Sequence, residues 1–172
     1  MFRELALGRN SIRAFSEEGV DENTVRGILE TAMFAPSAGN LQSWEFIVVR
    51  DGGAKGQIAD ACHGQDFIAD APVVVIVCAN GKRSGSKYGS RGERFYSIAD
   101  ACIAGAYLQL AAADMGLGTV WVGAFNEERI RGILGIPNHI TPIGVFPIGH
   151  PAEEGHRKER LPLEKVLHME KW

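Results

Sequence analysis

The chain has 172 residues, 45% of them apolar and 23% charged; 18 basic and 21 acidic side chains leave a net charge of −3. That apolar share supports one ordinary core, so a single domain over residues 1–172 is expected. It excludes intrinsic disorder, which needs low hydrophobicity and high net charge. The charge balance gives no chain-wide electrostatic footprint for nucleic acid. Glycine is in excess, 21 residues or about 12% against a typical value of roughly 7%, beside only 7 prolines. Without a low-complexity run, those glycines belong to turns and to places where backbone approaches something closely.

In chain order, Met1-Phe2-Arg3-Glu4 lacks the apolar stretch of a signal peptide. Asp21 reads as the N-cap of a helix in which Val25, Ile28, Leu29, Ala32 and Met33 recur at helical spacing, stopped at Pro36. Trp44 to Val49 is a β-rich run closed by Asp51-Gly52-Gly53. Short helices are expected around Ala54–Ala61 and Gln65–Asp70, then a strand buried on both faces from Pro72 to Cys78. Gly81 to Arg94 is rich in glycine, serine and five cations. It reads as a solvated, mobile surface loop, or as a lid over an anionic ligand.

A long helix follows from about Tyr96 to Met115. Asp100, Gln109 and Asp114 within it argue for a buried helix rather than a membrane span. Thr119 to Val122 is predicted as a third strand, Asn126 as the cap of a helix to about Leu134, and Pro142 to Gly149 as a fourth strand. Strands alternating with helices imply an α/β or α+β sheet with helices packed over it. The three cysteines, Cys62, Cys78 and Cys102, are widely spaced with no CxxC, which suits free thiols in a reducing, cytoplasmic setting. The five histidines show no metal-ligand spacing, and neither a Walker A sequence nor a GxSxG elbow is present.

Four stretches carry groups suited to chemistry. Arg9-Asn10-Ser11-Ile12-Arg13 sets two guanidiniums and a hydroxyl close together, a donor set that suits a phosphate dianion. Pro36-Ser37-Ala38-Gly39-Asn40-Leu41-Gln42 combines small residues with amides and a hydroxyl, able to read a heterocycle edge or a polyol, or simply to close a turn on itself. Trp121-Val122-Gly123 offers an aromatic wall and a backbone N–H beside a position without a side chain. Arg157-Lys158-Glu159-Arg160 is a basic cluster in a polar tail, which is either a solvated face or added charge for a phosphate site.

Taken in order along nearly the whole chain, these stretches resemble the nitroreductase family of flavin enzymes. Arg9-x-Ser11-Ile12-Arg13-x-Phe15, Ala35-Pro36-Ser37-Ala38-Gly39-Asn40-x-Gln42-x-Trp44, Gly116-Leu117-Gly118-x-x-Trp121-x-Gly123-x-Phe125, and Gly149-His150-Pro151 with Arg160-Leu161-Pro162 carry the likeness. The resemblance implies an α+β fold with a central, mostly antiparallel sheet flanked by helices, and a homodimer with FMN at the interface. It places Arg9, Asn10, Ser11 and Arg13, joined by Lys158 and Arg160, at the FMN phosphate and ribityl end. Pro36, Ser37, Ala38, Asn40 and Gln42 would approach from the partner subunit. Trp121, Val122 and Gly123 would line the isoalloxazine, with the Gly123 N–H near N5. The implied activity moves hydride from NADH or NADPH by way of flavin N5 to a nitroaromatic, quinone or similar small acceptor, with no catalytic side chain required. Dehalogenation, flavin destruction, dehydrogenation and a non-catalytic FMN-binding module are the alternatives. Gly81–Arg94 stands where longer members carry extra helices.

Overall fold

The computed structural model describes residues 2–172. Four strands, β1 (Trp44–Val49), β2 (Val73–Asn80), β3 (Gly118–Thr119) and β4 (Ile140–Gly149), form one sheet in the order β1-β2-β4-β3, with every ladder antiparallel. Seven α-helices surround it among the described residues: α1 (Phe2–Gly8), α2 (Glu22–Ala32), α3 (Gly52–Ala61), α4 (Phe67–Asp70), α5 (Gly81–Arg91), α6 (Ser97–Asp114) and α7 (Glu127–Leu134). The expected α+β architecture is the one observed.

The continuous apolar run of β2 has a direct cause. Its residues from Val73 to Ala79 are all buried, and their alternation divides them between two cores. Val73, Val75 and Val77 pack with Ala101, Ala104 and Leu108 of α6 and with Ile28 of α2. Val74, Ile76 and Cys78 face Ile58 of α3, Ile68 of α4 and Ile130 of α7. A strand covered on both faces has no reason to carry polar positions. Burial lifts the Cys62 thiol to about 11 and the Cys78 thiol to about 12, so neither is a thiolate near neutrality.

Most predicted elements lie where expected, and their caps explain why. Asp21 accepts from the Thr24 N–H at 3.0 Å and from the Thr24 hydroxyl, and these bonds hold its carboxyl below the usual range. Asn126 accepts from the Arg129 N–H at 3.0 Å and starts α7. The run Gly81–Asp114 is long and apolar enough to cross a membrane by length and composition. Its apolar part, α6, instead buries Ala101, Ala104, Leu108, Ala111 and Ala112 against the sheet and α2.

Two expectations are corrected, and one helix is added. Gly81–Arg94 is not a loop: α5 occupies Gly81–Arg91, and a π-helical turn, Gly92–Tyr96, joins it to α6. Its glycines and serines make it a poor helix by propensity, and tertiary bonds override that. Asn80 caps the first turn, accepting from the Arg83 N–H at 3.0 Å. The Arg83 guanidinium then donates to the Gln42 and Trp44 carbonyls at 2.6 and 3.2 Å and pairs with Glu45 at 2.5 Å. The predicted third strand is shortened to Gly118–Thr119, after which Val122 makes an isolated bridge to Val145. The N-terminus, read only for the absence of a signal, forms α1.

Candidate functional site

The loop after α1 runs as Arg9 to Arg13 alongside the short strand β3. The Ile12 N–H donates to the Thr119 carbonyl at 3.1 Å, and Ser11 bridges Thr119 in parallel. This contact requires Gly118, because a Cβ there would lie 2.8 Å from Ile12 Cγ2. On its other side the loop is held by the tail: the Glu153 carboxylate accepts from the Arg13 N–H at 2.5 Å. The backbone is therefore fixed from two sides while the Arg13 guanidinium stays free.

Arg9, Asn10, Ser11 and Arg13 line a cleft of about 280 Å³, and Lys158 and Arg160 close it from the C-terminal tail. Glu153, Glu154, His156 and Arg157 line it as well. Five cations thus face two carboxylates. Among the described residues no ion pair engages Arg9, Arg13, Arg157, Lys158 or Arg160. Unpaired guanidiniums that share one cleft repel each other, and an anion relieves that cost while taking bidentate hydrogen bonds. Asn10 takes an internal role: its Nδ2 donates to the Gly8 carbonyl at 2.8 Å.

The second predicted stretch lies elsewhere in the chain. Ala38–Asn40 forms a 3₁₀ turn with Gly39, Asn40 and Gln42 at φ of 57°, 56° and 51°. Three left-handed residues in so short a span need support. The Ser37 hydroxyl accepts from the Gln42 N–H at 2.9 Å, and the Gln42 side chain leans on the Asn40 carbonyl at 3.5 Å. The main support is Asp100 of α6, a residue 3% exposed whose Oδ1 accepts from the Ala38 N–H at 2.9 Å. Pro36 and Asn40 are exposed, and Ser37, Ala38 and Gln42 are partly buried. Asp100→Ala is expected to cost about 1–2 kcal/mol of stability by freeing that N–H, checked by chemical unfolding. Asp100→Asn, which keeps an acceptor, should lose less.

The third stretch continues from β3. Trp121 is half-buried, with its ring 4.9 Å from that of Phe146 in an edge-to-face arrangement. Val122 is buried and exchanges backbone hydrogen bonds of 2.9 Å with Val145. Gly123 is exposed, and its N–H makes no hydrogen bond among the described residues. Within one protomer, then, the Arg9–Arg13 loop and the Trp121–Gly123 segment are joined through Thr119. The Pro36–Gln42 turn belongs to a separate surface and does not line the cationic cleft.

The sequence reading missed Glu153, Glu154, His156 and Asp100 as site or supporting residues. An acid near the start of the apolar run 98–115 was the available signal for Asp100; the run's other acid, Asp114, lies at its end. The role of Glu153 rests on a bond across 140 positions of sequence, which no local pattern carries.

Comparison with known proteins identifies the family. Residues 6–65 and 61–150 match the Nitroreductase family. The chain belongs to the nitroreductase family. It is similar to an NADH dehydrogenase of Thermus thermophilus, 35% identical with 94% of this chain and 92% of that protein covered. It is also similar to the FMN reductase (NAD(P)H) of Bacillus subtilis, 33% identical over 93% of this chain and 70% of that protein. Among solved structures, the Bacillus subtilis oxidoreductase YcnD superposes with a TM-score of 0.90 at 31% identity, covering 99% of this chain and 74% of that one. The nitroreductase fold therefore accounts for the whole described chain, with α5 and its π-helical turn as the connection between β2 and α6.

Proposed function

We propose that this nitroreductase-family chain is an FMN-dependent NAD(P)H oxidoreductase that passes reducing equivalents to a small acceptor such as a nitroaromatic or quinone. The observation that carries this reading is the cleft of unpaired cations between the Arg9–Arg13 loop and the tail. Its donor set suits the phosphate of a mononucleotide: Arg9, Arg13, Lys158 and Arg160 supply charge, and Ser11 and Asn10 supply neutral polar groups. The donor set therefore fits FMN. When bound, FMN supplies two-electron chemistry that no side chain of this protein could provide.

The remaining residues bind and orient. Trp121 and the Val122 backbone would wall a planar ring system, and the free Gly123 N–H would donate to a ring nitrogen. Pro36, Ser37, Ala38, Asn40 and Gln42 act from the partner subunit, because within one chain they sit apart from the cleft. The homodimer also gives an occupant to the apolar surface that one chain leaves open. Phe95 in the π-helical turn, Ile98, Ile103 and Tyr107 along α6, and Leu161, Leu163 and Met169 in the tail, are all exposed.

The purified protein is expected to run at twice the chain mass and to be yellow, and NADH or NADPH should bleach it anaerobically. A colourless protein that ignores added FMN overturns the proposal. A yellow protein whose colour survives both nicotinamides moves the activity to a branch of the family that uses no nicotinamide donor.

A further inference from the structure

α5 carries a feature that the cofactor site does not use. Arg83 and Lys87, at i and i+4, share one face of the first turns of a glycine-rich helix that has no acidic residue; Gly89, at φ 55° and ψ −145°, then breaks the helix, and Arg91 follows the break. Like charges at this spacing destabilise a helix. Two of the three are held in place by this chain's own groups. Arg83 is paired with Glu45. The Arg91 guanidinium lies 5.1 and 5.2 Å from the centres of the Phe95 and Tyr96 rings and donates from Nε to the Tyr96 hydroxyl at 2.9 Å.

Lys87, between them, has no carboxylate partner among the described residues. Its ammonium lies 5.4 Å from the Tyr88 ring centre and reaches the turn that contains the flavin-facing residues: a Cβ on Gly39 would lie 2.8 Å from Lys87 Nζ. The Tyr88 hydroxyl crowds the same point. The pair packs against this turn because Gly39, at φ 57°, has no side chain. Here an exposed cation, braced by the Tyr88 ring, stands beside the turn at the proposed flavin face, and the Tyr88 and Tyr96 rings, 5.2 Å apart, link it to the Arg91 guanidinium.

We propose that the cationic cluster of Arg83, Lys87 and Arg91, with Lys87 as its free member, docks the pyrophosphate of the reduced nicotinamide dinucleotide. The inference rests on the proposed function, which supplies the need for such a donor. The pyrophosphate carries two negative charges at a distance from the nicotinamide ring, so its docking requires a cationic surface beside the flavin rather than over it. Lys87 contributes charge to binding and takes no part in hydride transfer, so it is a specificity residue and not a catalytic one.

The test compares two hydride donors on the dimeric holoenzyme: NADH, and 1-benzyl-1,4-dihydronicotinamide, which has the same reacting ring and no phosphate. In Lys87→Ala the KM for NADH is expected to rise on the order of tenfold, the equivalent of about 1.4 kcal/mol, while the rate with the benzyl donor holds. Lys82→Ala, a cation outside this cluster, should move neither. Equal losses with both donors, or no loss with NADH, overturn the proposal. So does a KM change confined to an anionic acceptor such as 4-nitrobenzoate, which would assign the cluster to the acceptor. ADP-ribose binding by calorimetry gives a readout independent of flavin. Weaker binding by Lys87→Ala supports the pyrophosphate site even if the protein takes no FMN, and unchanged binding overturns it while leaving the cofactor reading intact.

Discussion

Arg13→Ala is expected to weaken FMN binding by about 1.5–3 kcal/mol, a rise in Kd on the order of ten- to a hundredfold, through loss of a charge-assisted phosphate contact. The geometry makes this a clean substitution. The Arg13 backbone N–H is already bound by Glu153 at 2.5 Å, and the neighbouring Ile12 is buried and bonded to Thr119 at 3.1 Å. Truncating the side chain therefore leaves the loop in place and removes only the guanidinium from the cleft. Flavin fluorescence titration of the apoprotein measures the effect. Arg13→Lys should recover part of the affinity, because it restores the charge without the planar fork. Unchanged affinity in the alanine variant would mean that this loop does not hold the phosphate.

The largest effect on stability is expected at Phe146. It is fully buried in β4 and touches both the main core and the underside of the site. Gly105 of α6 and Gly144 of β4 leave the room its ring fills: a Cβ at either would lie 3.0 or 2.8 Å from a Phe146 ring atom. Phe146→Ala should cost about 3–5 kcal/mol, the transfer term plus the cavity left behind. Against a typical total of 5–15 kcal/mol that is a large fraction, and denaturant unfolding reads it directly. Because Phe146 also meets the edge of Trp121 at 4.9 Å between centroids, the surviving folded protein should show altered Trp121 fluorescence. A loss well below this range would mean that the neighbouring side chains collapse into the space.

The helix caps and the central strand were legible in the sequence because their causes are local. Asp21 and Asn126 cap with their own side chains across three residues, and β2 announces double-sided burial through an unbroken apolar run. The Arg9–Arg13 donor set and the Arg157–Arg160 cluster were each visible alone. Their shared cleft depends on a tail that returns across the whole chain to meet the first loop.

The misreadings have the opposite character. Gly81–Arg91 looks like a loop by propensity, and helix formation there is imposed by Glu45 and by the carbonyls of Gln42 and Trp44, which the sequence places some forty residues earlier. The strand predicted through Val122 is cut short because β4 pairs with only Gly118 and Thr119 before the chain diverges.

By itself, then, the sequence determined the residue types of the cofactor site, the α+β order of elements and the family resemblance, since motif spacing and hydrophobic period are written in the chain. The tertiary structure alone decided which of those residues meet. It joined the first loop to β3 and the tail, set the Pro36–Gln42 turn on a separate surface held by Asp100, and laid a basic helix against that turn. Such contacts are fixed by packing and long-range hydrogen bonds, whose energies depend on spatial neighbours rather than on sequence neighbours.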